Sequence, residues 1–397
     1  MGCGVITTQA QQMTPQYKIH ETPSTKTIVI DGGALLLCPF SNDRACVKWK
    51  KGWFVIDSEG NKVFDLPQGY KPKGWKQNLD GDFKCMYDHN RLMVFSQDKK
   101  CAIIYDENGN VVKNFDNIKN ASAFVDGVAL LKTLEKKPGQ YLEDVVWCYI
   151  DTLGNILSKN LPGSGYSSTD YRVFPYRNDL AAVYDSKKGC WGFRNRLCQW
   201  AFEPIYGGFG ADDGGGFYHG LSRARDKQTD KWGYINISGK WVIQPMFTNR
   251  PGNFVAGGVA LVTDKSECHH LIDKTGKIIW TDPNPRGRRV YREFNKWGYA
   301  IWCYGDNEII VDEDVKTIAK LQLPSDYLGS DVVEQTKNYF QYFVSYNEEN
   351  LLFDWNGNLL LVFDGRDVFS NDMCSYDKRC YFNSRGEIIV KFVDTMF

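Results

Sequence analysis

Surplus charge is the first thing this chain lacks. Its 397 residues carry 48 Lys and Arg against 48 Asp and Glu. A formally neutral chain has no field to draw it onto nucleic acid or anionic lipid, so neither is expected as a partner. No apolar run approaches the roughly 20 residues a membrane-crossing helix needs. Only five histidines occur, which leaves little material for a His-based metal centre. The twelve cysteines include no C-x-x-C pair. Cys46, Cys101, Cys148, Cys190, Cys303 and Cys380 sit inside apolar, strand-like runs, where a thiol behaves as a small hydrophobe. Reduced, structural cysteines are the expectation, and with them a reducing, cytoplasmic compartment.

The first residues, MGCGVITTQAQQ, lack the apolar core of a secretory signal. Ile6 stands where a myristoylation motif has Ser or Thr. Gly2-Cys3 resembles the tail of a bacterial lipoprotein cleavage site, so a lipid anchor at Cys3 is the alternative if a signal precedes this sequence. Otherwise residues 1–26 read as a flexible tail ahead of a single domain over 27–397. No convincing amphipathic helix interrupts that domain.

What the chain does have is aromatic residues, 14% of the total, together with 37 glycines. That mixture suits pleated strands joined by tight turns. One phrase recurs: an apolar strand, a short turn, a second apolar strand. Its fullest form is KWGYINISGKWVIQPMF over 231–247. Aligned on the turn, nine copies begin at Asp57, Asp106, Asp151, Asn195, Asn236, Asp273, Asp312, Asp354 and Asn383. Asp or Asn at that place accepts backbone hydrogen bonds from residues just ahead, and a Gly three residues later accepts positive φ. Gly occupies that fourth position in seven copies, Cys198 and Val315 being the departures. Gly239 and Gly276 are therefore expected at positive φ, and Val315 to mark a turn of a different type. A third strand precedes most hairpins, as in FVDGVALLK from Phe124 and FVAGGVALVTD from Phe254. Its small residues Ala129, Ala260, Ala300 and Ser222 would admit a neighbouring sheet closely. Trp297-Gly298 belongs to this third strand and not to a hairpin.

The copies recur about every 41 residues, within the range of propellers and solenoids. The chain is therefore expected to be all-β, with about nine tandem antiparallel units of three to four strands. A β-propeller is favoured, closed by the TIVI strand at Thr27 or by the C-terminal IIVKFV. An open β-superhelix is the alternative, because nine repeats exceed the usual four to eight blades.

Trp191-Gly192 and Trp232-Gly233, followed by WAFEP and WVIQP, resemble the WG-repeat (KWG) family. Trp53 and Trp147 keep the Trp alone, and the other copies keep only the hairpin skeleton. The resemblance implies a β-rich interaction module, common in bacteria and without a catalytic signature.

Candidate chemistry is sparse. In Cys268-His269-His270, strand alternation would turn His269 away from the other two. His269 and His270 also occupy the repeat's Trp and Gly positions, so repeat divergence outweighs a metal site. DENGN at Asp106 and DWNGN at Asp354 supply too few carboxylates for a calcium loop and are explained as turns. No cofactor motif and no nucleophile arrangement stands out. The longest departures from the unit include a Gly-rich loop with Asp212 and Asp213, and the segment PNPRGRRVYREF with Arg286, Arg288, Arg289, Tyr291 and Arg292. Insertions on repeat scaffolds tend to carry binding, and these oppositely charged loops are the expected contact for a protein partner. The reading is thus a non-catalytic scaffold for macromolecular interaction; the alternative is a propeller that binds or processes glycans.

Overall fold

The computed structural model describes residues 15–395, apart from 74, 77–82, 85–86, 136–143, 160–177, 186, 198, 210–215, 256, 283–288, 292–293, 296, 305–306, 322, 324–330, 345–348, 365–368 and 370–371. Every regular element among these residues is a strand. Eight sheets of three to six strands, antiparallel but for one strand pair, form a β-propeller, and a two-stranded ribbon adds Trp75–Lys76 against Phe83–Lys84. We number the repeats as units 1 to 9 by their turn residues, Asp57 through Asn383. Units 4 and 5 share the six-stranded sheet, which is joined where Trp191 pairs with Tyr206. Nine repeats thereby fit eight hydrogen-bonded blades.

Packing follows from strand alternation. Each sheet has two apolar faces, and neither can be buried within one unit. In unit 7, Ala300 and Trp302 face unit 6, while Ile301 between them faces unit 8. The small residues sit at these joints: Ala129 against unit 2, Ala260 against unit 5, Ala300 against unit 6, each almost fully buried. Repeating the pattern yields nine core clusters, each joining one unit to the next.

One of those clusters closes the ring. Met373, Tyr381, Val390 and Phe392 of unit 9 pack with Phe40, Val47, Phe54 and Ile56 of unit 1. The Tyr381 hydroxyl donates to the Cys38 carbonyl across this joint at 2.5 Å. Tyr234 makes the corresponding bond to Gly252 between units 5 and 6, at 2.7 Å. The closing joint is thus built like an internal one.

The N-terminal segment reinforces it. The strand His20–Ile30 lies parallel to Glu387–Asp394, with Thr27 opposite Lys391. Both expected closing strands take part, and they pair with each other. Ahead of them, the Tyr17 amide donates to the Leu360 carbonyl of unit 8. Residues 20–26, expected as part of a tail, are therefore strand. Their polar residues and Pro23 are tolerated because this strand is the edge of its sheet. Cys3 lies outside the described residues. Cys101, Cys190, Cys268 and Cys380 are free thiols, and burial pushes Cys380 up to about 11.

Candidate interaction face

The nine turns are fastened by their own first residue. Asp151 Oδ1 accepts the amides of Leu153 and Asn155 at 2.9 and 2.8 Å, and its Oδ2 accepts the Asn155 side-chain amide. Asp57, Asp106 and Asp354 repeat this set with Asn61, Asn110 and Asn358. The carboxylates that loosely suggested calcium are thus occupied as turn fasteners. At Asp106, burial pushes the carboxyl upward, but bonds from Asn110 and Asn108 outweigh it and hold the group below its ordinary range.

The fourth turn residue has two duties. Gly239 and Gly276 have φ of +75° and +87°, as expected. A Cβ on Gly239 would also stand 2.5 Å from the Phe202 ring, and one on Gly109 the same distance from Phe64. On Gly60 it would meet Val390 of unit 9 at 2.9 Å. Each of these turns presses on the preceding unit, so Gly is required by close approach as well as by backbone angle. Val315 corrects the expectation of a different turn. Its amide bonds the Asp312 carbonyl at 2.9 Å, and its φ is +63°, as in the glycine turns. Asp312 accepts the Lys316 amide at 2.8 Å and fixes the geometry. The strained valine is held because its side chain packs into the core between units 6 and 7.

The Gly of the Trp-Gly pair acts differently. Gly233 is not at positive φ, but a Cβ there would lie 2.5 Å from the Ile243 carbonyl oxygen and 2.9 Å from Pro245 N. Gly192 has the same relation to Pro204, at 2.9 Å. Gly and Pro of the motif therefore mark one backbone crossing: the proline segment runs directly over the glycine.

A second set of tight turns lies at the same end of the sheets. Asn42-Asp43, His89-Asn90, Asp126-Gly127, Asn178-Asp179 and His219-Gly220 all have positive φ at both residues, as two-residue hairpin loops require. Register places them beside the fastened turns, since Arg44 pairs with Asp57, Val128 with Asp151, Leu180 with Asn195 and Leu221 with Asn236. One face of the ring is consequently built from both sets. Neighbouring units interlock across it. Arg44 Nε donates to the Glu107 carbonyl, Arg91 Nε to that of Thr152, and an Arg196 terminal nitrogen to that of Asp126. Arg196 also pairs with Asp179.

On this face large aliphatic side chains point into solvent. Leu153 and Leu197 hold the same turn position in units 3 and 4 and are 57% and 69% exposed. Ile237, in the next turn, is 58% exposed. Sequence reading passed over them, because one apolar residue in a turn looks like repeat variation.

The residues expected to bind a partner fare differently. Asp212, Asp213, Arg286, Arg288 and Arg292 lie outside the described residues. Arg289 and Tyr291 fall in a strand, Arg289–Tyr291, paired with Tyr304 and Trp302, so this part of the expected loop is an edge strand of the unit 7 sheet. His269 does turn away from Cys268 and His270, bonding Thr263 Oγ1 at 3.0 Å.

Residues 232–265 match the family model for the WG containing repeat. That span is the unit whose Trp, Gly and Pro form the crossing just described. That unit carries a WG containing repeat. No curated protein sequence matches it. Among solved structures, a eukaryotic initiation factor is similar with a TM-score of 0.51 at 13% identity, over 87% of this chain and 92% of that one. BamB from Moraxella catarrhalis is similar at 0.37 and 9% identity, over 85% and 100% of the two chains. Apo AztD from Citrobacter koseri is similar at 0.37 and 12%, over 90% and 94%. At these identities the likeness to the initiation factor speaks for the fold alone. No helix among the described residues is long and apolar enough to cross a membrane.

Proposed function

We propose that this repeat protein is a non-catalytic scaffold whose turn face docks another protein. One observation carries the reading. Leu153 and Leu197 present large apolar side chains at equivalent positions of adjacent units, and Arg196 holds those units in register. A lone exposed leucine is ordinary surface, whereas apolar side chains repeated on a rigid frame form a contact patch. Loops positioned by a stiff scaffold are where binding concentrates. The oppositely charged segments around Asp212-Asp213 and Arg286–Arg292 are a separate candidate contact that would add charge selection, since Arg289 pairs with Tyr304 at the end of its sheet away from the fastened turn at Asp312.

The test is affinity capture from an extract of the native cells, comparing wild type with Leu153→Asp/Leu197→Asp and with Arg286→Ala/Arg288→Ala/Arg289→Ala. Loss of a specific protein with the leucine variant supports the turn face; loss with the arginine variant adds the charged segment. Full retention by both, together with binding to an oligosaccharide array, would replace this reading with the glycan alternative.

A further inference from the structure

Unit 6 departs from the repeat where the fold is least tolerant. Three residues before the fastened turn, the other units carry Phe54, Ile103, Cys148, Gly192, Gly233, Ile309, Leu351 and Cys380. All are apolar or absent side chains, and in units 4 and 5 the backbone crossing leaves no room for a Cβ. Unit 6 has His270 there, and the following strand stands off far enough to hold an imidazole against Thr281.

The imidazole is aimed. Its Nδ1 lies 3.0 Å from Thr281 Oγ1 and its Nε2 lies 3.2 Å from Asp264 Oδ2, with the side chain 13% exposed. Asp264 opens the tight connection between Val259–Thr263 and His269–Asp273. Its Oδ1 is held by the amides of Ser266 and Cys268 at 2.8 and 2.9 Å, which points Oδ2 at the histidine. Cys268 is two residues before His270 on the same strand face. The ligand atoms of Asp264, Cys268 and His270 all lie within 4.8 Å of one another.

We propose that Asp264 Oδ2, Cys268 Sγ and His270 Nε2 bind a zinc-like divalent cation, with water in the fourth position. Oxygen and nitrogen ligands about 2.0–2.1 Å from a tetrahedral ion stand about 3.3 Å apart, close to the 3.2 Å found here. With the metal bound, Nδ1 would donate to Thr281 Oγ1 and Nε2 would keep the lone pair a metal needs, the usual arrangement behind a ligating histidine. A mixed thiolate, imidazole and carboxylate set favours Zn²⁺ over Mg²⁺ or Ca²⁺. Bound there, the ion would clip the Asp264 connection to its strand on the ring face opposite the fastened turns.

The experiment titrates Co²⁺ into the full-length, reduced, chelator-treated protein and follows the thiolate-to-cobalt absorption, then displaces it with Zn²⁺. One equivalent with a charge-transfer band is expected, together with a metal-dependent rise in Tm. Cys268→Ser should abolish the band. His270→Gly, the residue units 4 and 5 carry at this place, should weaken binding by about tenfold or more. Asp264→Asn keeps the turn's amide acceptor, so it tests the carboxylate without dismantling the connection. Cys190→Ser, at the equivalent place in unit 4, should leave binding intact. Absence of the band, or a band lost with Cys190→Ser and kept in Cys268→Ser, would overturn the assignment.

Discussion

Gly239 allows the two demands on the turn glycine to be separated. Ala at φ +75° carries left-handed backbone strain of about 1–2 kcal/mol. Its Cβ would be driven into the Phe202 ring at 2.5 Å, and overpacking of that kind costs about 1–3 kcal/mol. A less flexible unfolded chain returns roughly 0.4–1 kcal/mol, leaving a net loss of about 1–4.5 kcal/mol. Gly220 is the control: its φ is +92°, but nothing lies within 4 Å of the Cβ position. Gly220→Ala should therefore cost only about 1 kcal/mol. Urea unfolding measures both, provided the slopes match and the midpoints alone move. Combining Gly239→Ala with Phe202→Ala completes a double-mutant cycle, and the second change should recover part of the loss by removing the ring. Equal costs at Gly239 and Gly220, with no coupling to Phe202, would refute the close approach and leave strain as the sole reason for glycine.

Two further predictions probe the turn acids and the closure. The Thr275 hydroxyl, aided by the amides of Thr275 and Lys277, holds the Asp273 carboxyl below its ordinary 3.8. A lowered folded-state pKa contributes stability that is present above the ordinary value and lost as pH falls through the folded one. Asp273→Asn should keep the turn, as Asn236 does with the same amides, and lose less stability than wild type between pH 7 and pH 3. An unchanged pH dependence in urea midpoints would count against the assignment. Tyr381→Phe removes the buried bond to Cys38 across the closing joint and should cost about 1–2 kcal/mol, matching Tyr234→Phe at an internal joint. A cost for Tyr234→Phe and none for Tyr381→Phe would mean that the ring stands open in solution.

How much of this was legible in the sequence depends on how local each cause is. The fastened turns were readable because Asp or Asn and the residues it holds lie within four positions of each other. The strands were readable as short apolar runs because neighbouring units bury both of their faces. Gly239 was only half readable: its backbone role is local, whereas its contact with Phe202, like those of Gly192 and Gly233 with Pro204 and Pro245, depends on how distant segments meet. Val315 misled for the same reason, since Asp312 imposes the turn locally while the core that compensates its strain is supplied by other strands. Residues 20–26 looked unstructured because a polar edge strand lacks the apolar signal, and only its partner Glu387–Asp394 makes it a strand.

The site residues extend this argument. Leu153 and Leu197 acquire meaning only when Arg196 sets two turns side by side. Asp264 reads like any other turn acid until Cys268 and His270 come round to it. Repetition was the strongest signal for the fold, and it works against finding a site. A repeat explains what every unit shares, so function has to be sought where a unit breaks the rule and its surroundings have adjusted to the break. His270 meets both conditions, since it fills a place apolar or empty elsewhere and has Thr281 and Asp264 arranged around it.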